Sequence, residues 1–213
     1  MDFGSQQWMY ASGGYEIDQS LRFDSARETY LSRTFGTPTN RKIWTFSVWF
    51  KGGNVSGSSE RRIFSTATGA GGNTDNINFT TSGAIRFIAD FGQLISTQVF
   101  RDPSAWYHLI YAYDSTQSTE ANRLKMYVNG TQVTSFSTTT YPSLNQEIDF
   151  NSALVHDIGR NLPETTQYYD GYLAEVNFID GTALTPSSFG ESGDYGEWKP
   201  IEVEGLTYGT NGF

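Results

Sequence analysis

The sequence predicts an all-β protein built as a two-sheet antiparallel sandwich, and three observations support this prediction. Aromatic residues make up 15% of the chain and 22 residues are glycine, a composition typical of short strands joined by tight turns. The segments Trp44–Phe50 and Trp106–Asp114 alternate in polarity, as half-buried strands do. The segment after Arg123 closes on Asn129-Gly130, the dipeptide of a two-residue hairpin turn. Helix is therefore expected to be scarce.

The other elements follow in order along the chain. Residues 1–18 show no sustained period, and we interpret them as an arm or linker that precedes one sandwich domain, residues 19–213. Pro186 is expected to begin a single helical turn within Leu184–Phe189, with Thr185 as its N-cap. Residues 206–213 resemble the start of a further strand. The predicted strands are 20–23, 29–34, 44–50, 62–65, 77–80, 84–89, 94–100, 106–114, 123–130, 154–159 and 172–179.

Charge and residue counts argue against several classes of protein. The chain of 213 residues has no cysteine, which excludes a disulfide framework, thiol catalysis and cysteine-bound zinc. Its formal net charge is −9, whereas nucleic-acid binding usually needs a basic surface. No apolar run is long enough for a membrane span, and the N-terminus lacks the features of a secretion signal. We therefore expect neither nucleic-acid binding nor membrane insertion.

Six segments, in their order and spacing, resemble the laminin-G-like branch of the concanavalin A-like lectin/glucanase superfamily over roughly residues 20–213. They are Ser20–Phe23, Trp44–Phe50, Trp106–Leu109, Leu124–Gly130, Asp170–Val176 and Leu184–Phe189. The resemblance implies a jelly-roll sandwich with one concave sheet, used for adhesion to glycans or proteins. More narrowly, three segments resemble domains of bacteriophage structural proteins, especially tail fibres and other virion appendages. These are Phe100–His108, Tyr168–Val176 and Tyr208–Phe213.

Surface aromatic residues are the leading candidates for a binding site. Sugar rings stack on aromatic planes while neighbouring polar groups bind the hydroxyls. The tyrosines of the Trp106–Asp114 strand share one face, which we expect to be the outer one. The residues expected to point inward are Trp106, His108, Ile110 and Ala112. The predicted glycan-binding residues are Trp49, Tyr107, Tyr111, Tyr113, Tyr127, Tyr168 and Tyr169. Loops around Asn54 and Asn73 could add contacts. The alternative is that these aromatic residues fill the second face of the sandwich or pack against a neighbouring subunit.

Calcium is the one metal that the resemblance suggests, because loops of this superfamily can bind it through hard oxygen ligands. Asp170 and Asp180, each followed by glycine, are the candidate ligands. The alternative is that both Asp-Gly pairs simply form turns. No other cofactor is expected.

The superfamily also contains glycoside hydrolases, whose retaining members need two carboxyl groups about 5–5.5 Å apart. Glu147 and Asp149 fit the first two positions of their pattern, but Asn151 and Ser152 stand where the second glutamate belongs. The chain also lacks a Gly-x-Ser-x-Gly elbow, and His108 and His156 are interpreted as structural. We therefore expect no enzymatic activity.

The sequence thus leads to a non-enzymatic bacteriophage virion protein. It would be an exposed adhesion or decoration domain on a tail fibre or capsid, binding host-surface glycans. We expect other virion proteins as partners, a homo-oligomer such as a trimer, and assembly in the bacterial cytoplasm. Two alternatives are a purely structural module that mediates protein–protein assembly, and a glycoside hydrolase acting on host polysaccharide.

Overall fold

The computed structural model describes residues 14–54, 57–68, 74–162 and 165–213. Within these ranges the chain forms strands joined by turns, with three short 3₁₀ turns at Ser25–Arg27, Glu120–Asn122 and Pro186–Ser188. None of these helical turns is long or apolar enough to cross a membrane. The strands are β1 (Leu21–Phe23), β2 (Leu31–Thr34), β3 (Ile43–Gly52), β4 (Arg61–Ala67), β5 (Thr74–Phe79), β6 (Ala84–Ala89), β7 (Gly92–Val99), β8 (Tyr107–Asp114), β9 (Leu124–Val128), β10 (Thr131–Gln132), β11 (Phe136–Thr139), β12 (Val155–Ile158), β13 (Gly171–Asp180), β14 (Gly190–Ser192) and β15 (Trp198–Pro200).

The strands form two large antiparallel sheets, so the predicted all-β sandwich is confirmed. Sheet A has six strands in the order β1-β13-β3-β8-β9-β10, and sheet B has seven in the order β11-β7-β6-β5-β4-β12-β2. Strands β14 and β15 pair as a separate hairpin. The predicted turn between β9 and β10 also forms, since Asn129 and Gly130 both adopt positive φ, at 47° and 75°.

The core lies between the two sheets and is rich in aromatic rings. Trp44 of β3 is fully buried and stacks on Tyr113 of β8 with ring centroids 5.1 Å apart. From the same strand, Phe46 stacks on Phe64 of sheet B at 4.9 Å. Alternation along β3 therefore points Trp44 and Phe46 inward and leaves Trp49 on the outer face, as its sequence pattern predicts.

The face assignment made for β8 was wrong. Tyr111 and Tyr113 are fully buried in the core, and Tyr107 packs against the same core from its edge. Their neighbours His108 and Ile110 lie on the outer face of sheet A but are also buried. Both faces of β8 are thus covered, and polarity alternation cannot tell which face meets the other sheet.

Residues 184–213, here called the C-terminal segment, cover the outer face of sheet A. Leu184 and Phe189 pack with Leu206 against Ile110 and Ile179 of the sheet in a second apolar cluster. The hairpin β14–β15 belongs to this segment and was not predicted. The strand expected over 206–213 does not form. Instead, backbone hydrogen bonds join this stretch to β13: Phe178 and Phe213 exchange a reciprocal pair, and the Asp180 N–H donates to the Tyr208 carbonyl.

The helical turn predicted within Leu184–Phe189 is present as the 3₁₀ turn Pro186–Ser188, and Pro186 begins it as expected. Thr185 occupies the N-cap position, but its side chain makes no capping hydrogen bond. Its hydroxyl instead lies 2.9 Å from that of Ser187.

Candidate functional site

Three of the predicted glycan-binding tyrosines are fully buried and cannot contact a ligand at the surface. Tyr113 donates a hydrogen bond to the carbonyl of Gln146 (2.8 Å), and Tyr169 donates to the carbonyl of Lys51 (3.2 Å). Tyr111 lies beside them in the core. These phenols fill the sandwich because their rings supply apolar area that the core needs. Their prediction as surface ligands was therefore wrong.

Three further tyrosines of the predicted set are partly or largely covered. Tyr107 stacks on Phe50 with ring centroids 5.3 Å apart. Tyr127 packs into the apolar cluster under the C-terminal segment, and Tyr168 is only 9% exposed. The structure does not bring these residues together into one surface. Of the two predicted contact loops, Asn54 is exposed, and Asn73 lies outside the described residues.

Among the predicted ligand residues, Tyr127 lines one surface cavity and Trp49 lines another. The indole of Trp49 stacks on the imidazole of His108, with centroids 4.7 Å apart and planes 3° from parallel. The side chain is 7% exposed, so only part of its surface faces outward. That part lines a cavity of about 420 Å³ on the outer side of sheet A, here called the aromatic cleft.

The aromatic cleft combines two indoles with polar groups. It is lined by Ile17, Asp18, Gln19, Ser20, Trp49, Trp106, Ala174 and Pro200. Trp106 is 38% exposed and Tyr172, its neighbour at a centroid distance of 6.5 Å, is 39% exposed. The sequence prediction pointed Trp106 into the core, but this residue precedes β8 and has the same alternation as His108 and Ile110, so it was misplaced by the same face assignment. Tyr172 was not predicted as a ligand residue, because the sequence around it in β13 has the pattern of an ordinary strand.

His108 forms the support of Trp49 and does not act as a catalytic base for Ser47. Trp198 donates its indole N–H to His108 Nδ1 (2.9 Å), so Nδ1 must be the unprotonated acceptor. The proton then lies on Nε2, which donates to Ser47 Oγ at 2.8 Å. Burial lowers the pKa of His108 to about 3. The neutral ring therefore holds Trp49, Trp198 and Ser47 in place, with its basic nitrogen turned away from the hydroxyl.

The two predicted calcium ligands cannot share an ion. Asp170 precedes β13 and Asp180 ends it, so about 30 Å separates them along the strand. Asp170 forms a salt bridge to Arg22 (2.7 Å). Asp170 and Asp180 therefore have separate structural roles, and calcium binding by either residue stays a prediction.

Asp180 is a capping residue whose carboxylate is fully used. It accepts hydrogen bonds from the backbone N–H groups of Thr39 (2.6 Å), Asn40 (3.1 Å) and Asn211 (3.2 Å), and from the side-chain amide of Asn151 (2.7 Å). Burial alone would raise the pKa of Asp180, but these four donors lower it below its usual value. The carboxylate therefore joins three distant segments of the chain.

A different group of carboxylates could hold a metal ion. Asp75, Asp90 and Asp149 each place one carboxylate oxygen within 4.8 Å of the others, and we call them the carboxylate centre. Asp75 is fully buried and Asp149 is 6% exposed. One oxygen of each, Asp75 Oδ1 and Asp149 Oδ2, is buried without a hydrogen-bond partner among the described residues. Buried oxygens of this kind fit a hard cation.

The electrostatics of the carboxylate centre agree with this fit. Burial raises the pKa of Asp75 to about 7. A hydrogen bond from the Phe150 N–H opposes this increase, and the negative charges of Asp149 and Asp90 add to it. Burial and Asp90 also raise the pKa of Asp149, which Arg41 partly offsets. The three carboxylates come from separate parts of the chain, so no spacing motif in the sequence could reveal them.

The pair considered for glycoside hydrolysis is tied to an arginine. Arg41 lies 3.5 Å from Glu147 Oε2 and 3.4 Å from Asp149 Oδ1. Asn151, which stands near the missing second glutamate, is fully buried and is bonded to Asp180 and Asn211. That position is thus occupied by a structural amide that cannot serve as the acid of a hydrolase.

Solved structures share this fold at low sequence identity. Domains LG4–5 of the mouse laminin α1 chain give a TM-score of 0.54 at 12% identity, covering 81% of this chain and 44% of that chain. A heptameric SAP-like pentraxin from Limulus polyphemus gives 0.50 at 16%, covering 81% and 76%. The K499G mutant of NanB sialidase from Streptococcus pneumoniae gives 0.51 at 15%, covering 85% and 29%. The chain therefore spans less than half the length of the laminin and sialidase chains, and these likenesses establish the fold alone.

The family is shown by the sequence itself. No curated protein matches the chain. Residues 25–188, however, match a laminin-G family model described as concanavalin A-like lectin/glucanases superfamily. The matched range runs from the first 3₁₀ turn to the last and contains β2 through β13. The chain belongs to the concanavalin A-like lectin/glucanase superfamily.

Proposed function

We propose that this chain is a non-enzymatic adhesion domain that binds a glycan in the aromatic cleft. The observation that carries the proposal is the exposed indole of Trp106 in one cavity with the polar residues 18–20. Such a cavity offers a stacking surface for a sugar ring and hydrogen-bonding groups for its hydroxyls. Its volume of about 420 Å³ lies in the range of about 300–1,000 Å³ common for small-molecule sites. Membership of a superfamily that includes lectins supports the same function.

The proposed setting is the surface of a bacteriophage virion. The support for it is the resemblance of segments such as Phe100–His108 and Tyr208–Phe213 to phage structural proteins. In this setting the domain belongs to a tail fibre or a capsid decoration, joins other virion proteins as a homo-oligomer such as a trimer, and binds glycans of the host surface. Labelling with an antibody on intact phage particles tests this setting, and absence of the chain from purified particles would refute it.

A glycan array tests the adhesion function directly. Wild-type protein should bind at least one class of glycan, and Trp106→Ala should lose about tenfold or more in affinity because the stacking surface is removed. Tyr195→Ala is the matched control, because Tyr195 is an aromatic residue 97% exposed on the β14–β15 hairpin. Equal thermal unfolding of both variants would show that the fold is intact. An unchanged affinity of the Trp106 variant would contradict the assignment of the site.

The second candidate function is a structural module without a sugar ligand. It is favoured by the adjoining edge strands β1 and β2, where Leu21 is 48% exposed, Leu31 49% and Tyr30 42%. Apolar side chains on open strand edges suit a protein contact. Failure of folded wild-type protein to bind any glycan at high density, together with self-association that Leu31→Lys disrupts, would favour this function.

A glycoside hydrolase is the third candidate and has the least support from the geometry. Incubation with host polysaccharide tests it. New reducing ends that disappear in Glu147→Gln would overturn the non-enzymatic assignment.

The calcium ion that the family resemblance implies would be held by the carboxylate centre. Calcium takes six to eight oxygen ligands, and a bound ion would neutralise the buried carboxylates. Asp75 and Asp149 supply partnerless buried oxygens for it, and Asp90 supplies an exposed one. These residues fit the ion better than Asp170, which is paired with Arg22.

Chemical unfolding in calcium or in a chelator tests this site. A free calcium concentration a hundredfold above the dissociation constant should stabilise the protein by about 2.7 kcal/mol. Asp75→Asn should abolish the response, and Asp170→Asn should keep it. The reverse pattern would restore the site predicted from the sequence, and no response in wild-type protein would exclude calcium from both positions.

A further inference from the structure

We infer that the aromatic cleft selects an amine-bearing sugar, such as a glucosamine unit, over neutral and carboxylated sugars. The inference rests on the proposed glycan-binding function and adds the chemical class of the ligand. The charges that line and surround the cleft carry it.

The cleft wall itself carries one formal charge, and that charge is negative. Among the described residues that line the cavity, Asp18 is the charged one, and the others are neutral polar, aliphatic or indole side chains. Asp18 is exposed, so its carboxylate is accessible to a ligand. A ligand carboxylate would therefore enter a cavity that offers it repulsion from Asp18 and no cationic partner in the wall.

The segment that forms this wall also lies among other acidic groups. Tyr15 donates its hydroxyl to Glu175 Oε1 at 2.8 Å, and Glu175 follows the cleft residue Ala174. The hydrogen bond to Glu175 and burial raise the pKa of Tyr15 to about 12, and the charges of Glu175, Glu202 and Asp18 add to the increase. The whole chain has a net charge of −9. A cation is therefore attracted both by the negative charge around the cleft and by the Asp18 carboxylate in its wall.

Arg22, a basic residue beside the cleft, is already paired with an acid. The guanidinium of Arg22 lies 5.3 Å from the centre of the Tyr172 ring and 2.7 Å from Asp170. Lys51 lies cross-strand from Tyr172 and adds a small effect to the hydrogen bonds from Ser104 that lower the pKa of Asp102. Arg22 consequently offers little to an anionic ligand without giving up its own partner.

The indoles complete the preference for an amine. An ammonium group over the face of a tryptophan is attracted by the negative face of the ring, and tryptophan is the best of the aromatic residues for this contact. The 38% exposure of Trp106 leaves a face available, and Asp18 lines the same cavity. An amino sugar can thus stack its ring and direct its ammonium to an indole and a carboxylate together.

A matched series of oligosaccharides with one backbone tests the inference. The probes are a glucosamine oligomer, its N-acetylated counterpart and a uronate oligomer of the same length, titrated calorimetrically in a mildly acidic buffer that keeps the amine protonated. We expect the glucosamine oligomer to bind most tightly and the uronate least. Asp18→Asn should weaken the glucosamine oligomer about two- to fivefold, the range of an exposed ion pair, and leave the N-acetylated oligomer unchanged.

Glu120→Gln is the charge-matched control, because Glu120 is exposed in the turn between β8 and β9, beyond the opposite end of β8 from Trp106. It should leave all three affinities unchanged. The amine preference would be overturned if the N-acetylated or uronate oligomer bound as tightly as the glucosamine oligomer, or more tightly. If Trp106→Ala abolished that binding, the glycan-binding function would still stand. An equal loss of glucosamine binding in Glu120→Gln would also overturn the amine preference, because only the net charge would then matter. Absence of binding to all three oligomers and to every glycan of an array would refute the proposed function itself.

Discussion

Replacing His156 by glutamine should remove a large acid sensitivity from the protein. His156 is 2% exposed, and its ring stacks on Phe35 with centroids 3.8 Å apart and planes 14° from parallel. Burial lowers its pKa from 6.5 to about 4, against a weaker opposing effect of the hydrogen bond with the Leu154 carbonyl. A protonated imidazole would lie among phenylalanine rings with Nε2 buried and, among the described residues, unpartnered.

The sign and size of the effect follow from proton linkage. Because the pKa is lowered by folding, the unfolded chain takes up the proton first when the pH falls. The stabilisation is therefore complete above about pH 6.5 and is lost as the pH approaches 4. At 1.36 kcal/mol per pKa unit the loss amounts to about 3 kcal/mol in the free energy of unfolding.

Urea unfolding at constant ionic strength, from neutral pH down to about pH 4, measures this effect. Other titrating groups, Asp75 among them, change stability in both proteins alike, so the difference between wild type and His156→Gln isolates the histidine. Glutamine stays neutral and keeps an N–H donor for Leu154. We expect the variant to have a lower free energy of unfolding than wild type at neutral pH. This difference should decrease by about 3 kcal/mol as the pH falls to about 4. Two parallel curves, differing by a constant across the range, would refute the reasoning.

Two further predictions concern the core and the cover of sheet A. The hydroxyl of Tyr111 is buried without a partner among the described residues, whereas Tyr113 donates to Gln146 (2.8 Å). Tyr111→Phe should therefore raise the free energy of unfolding by about 1 kcal/mol or more, and Tyr113→Phe should lower it by about 1 kcal/mol. Changes of the same sign would contradict these contacts. A Cβ at Gly130 would lie 2.4 Å from the Trp198 ring, and the φ of +75° also disfavours alanine. Gly130→Ala should lower the melting temperature and shift tryptophan emission, and an unchanged scan would contradict the contact.

The architecture was largely predictable because strand signals are local. In β3, residues Trp44 and Phe46 alternate with Thr45 and Ser47, and the inner and outer faces fall as the pattern indicates. The Asn129-Gly130 turn requires two positive φ angles, which few other dipeptides adopt easily. Strands β14 and β15 were missed because each has only three residues, too few for a period to show.

The face of β8 was not predictable from that strand alone. Tyr111 and Ile110 are both fully buried, one by the opposite sheet and the other by the C-terminal segment. Alternating polarity distinguishes a solvent-exposed face from a buried one, but it cannot tell which of two buried faces meets the opposite sheet. A large aromatic residue with one hydroxyl fits either environment, so the tyrosines suggested a ligand surface that the fold uses as core.

The candidate sites were less predictable, because they depend on contacts between distant segments. Asp75, Asp90 and Asp149 meet only after three different elements have been placed. Asp180 has the same Asp-Gly context as a turn residue, yet its partner Asn211 lies 31 residues further along the chain. In the aromatic cleft, Trp49 was predicted from its outward position on β3, whereas Trp106 was missed because the two faces of β8 were assigned in reverse.

The pairing of early strands with late ones has a consequence for synthesis in the cell. Leu21 of β1 pairs with Leu173, Leu31 of β2 pairs with Ile158, and the Gly36 N–H is bonded to Asn211 (2.8 Å). Neither edge can close until most of the chain has left the ribosome. Such non-local topologies fold on the slow scale of about milliseconds to seconds. The nascent chain therefore carries unpaired aromatic strands through much of translation, and its yield should depend on chaperones and on temperature more than on the stability of the finished fold.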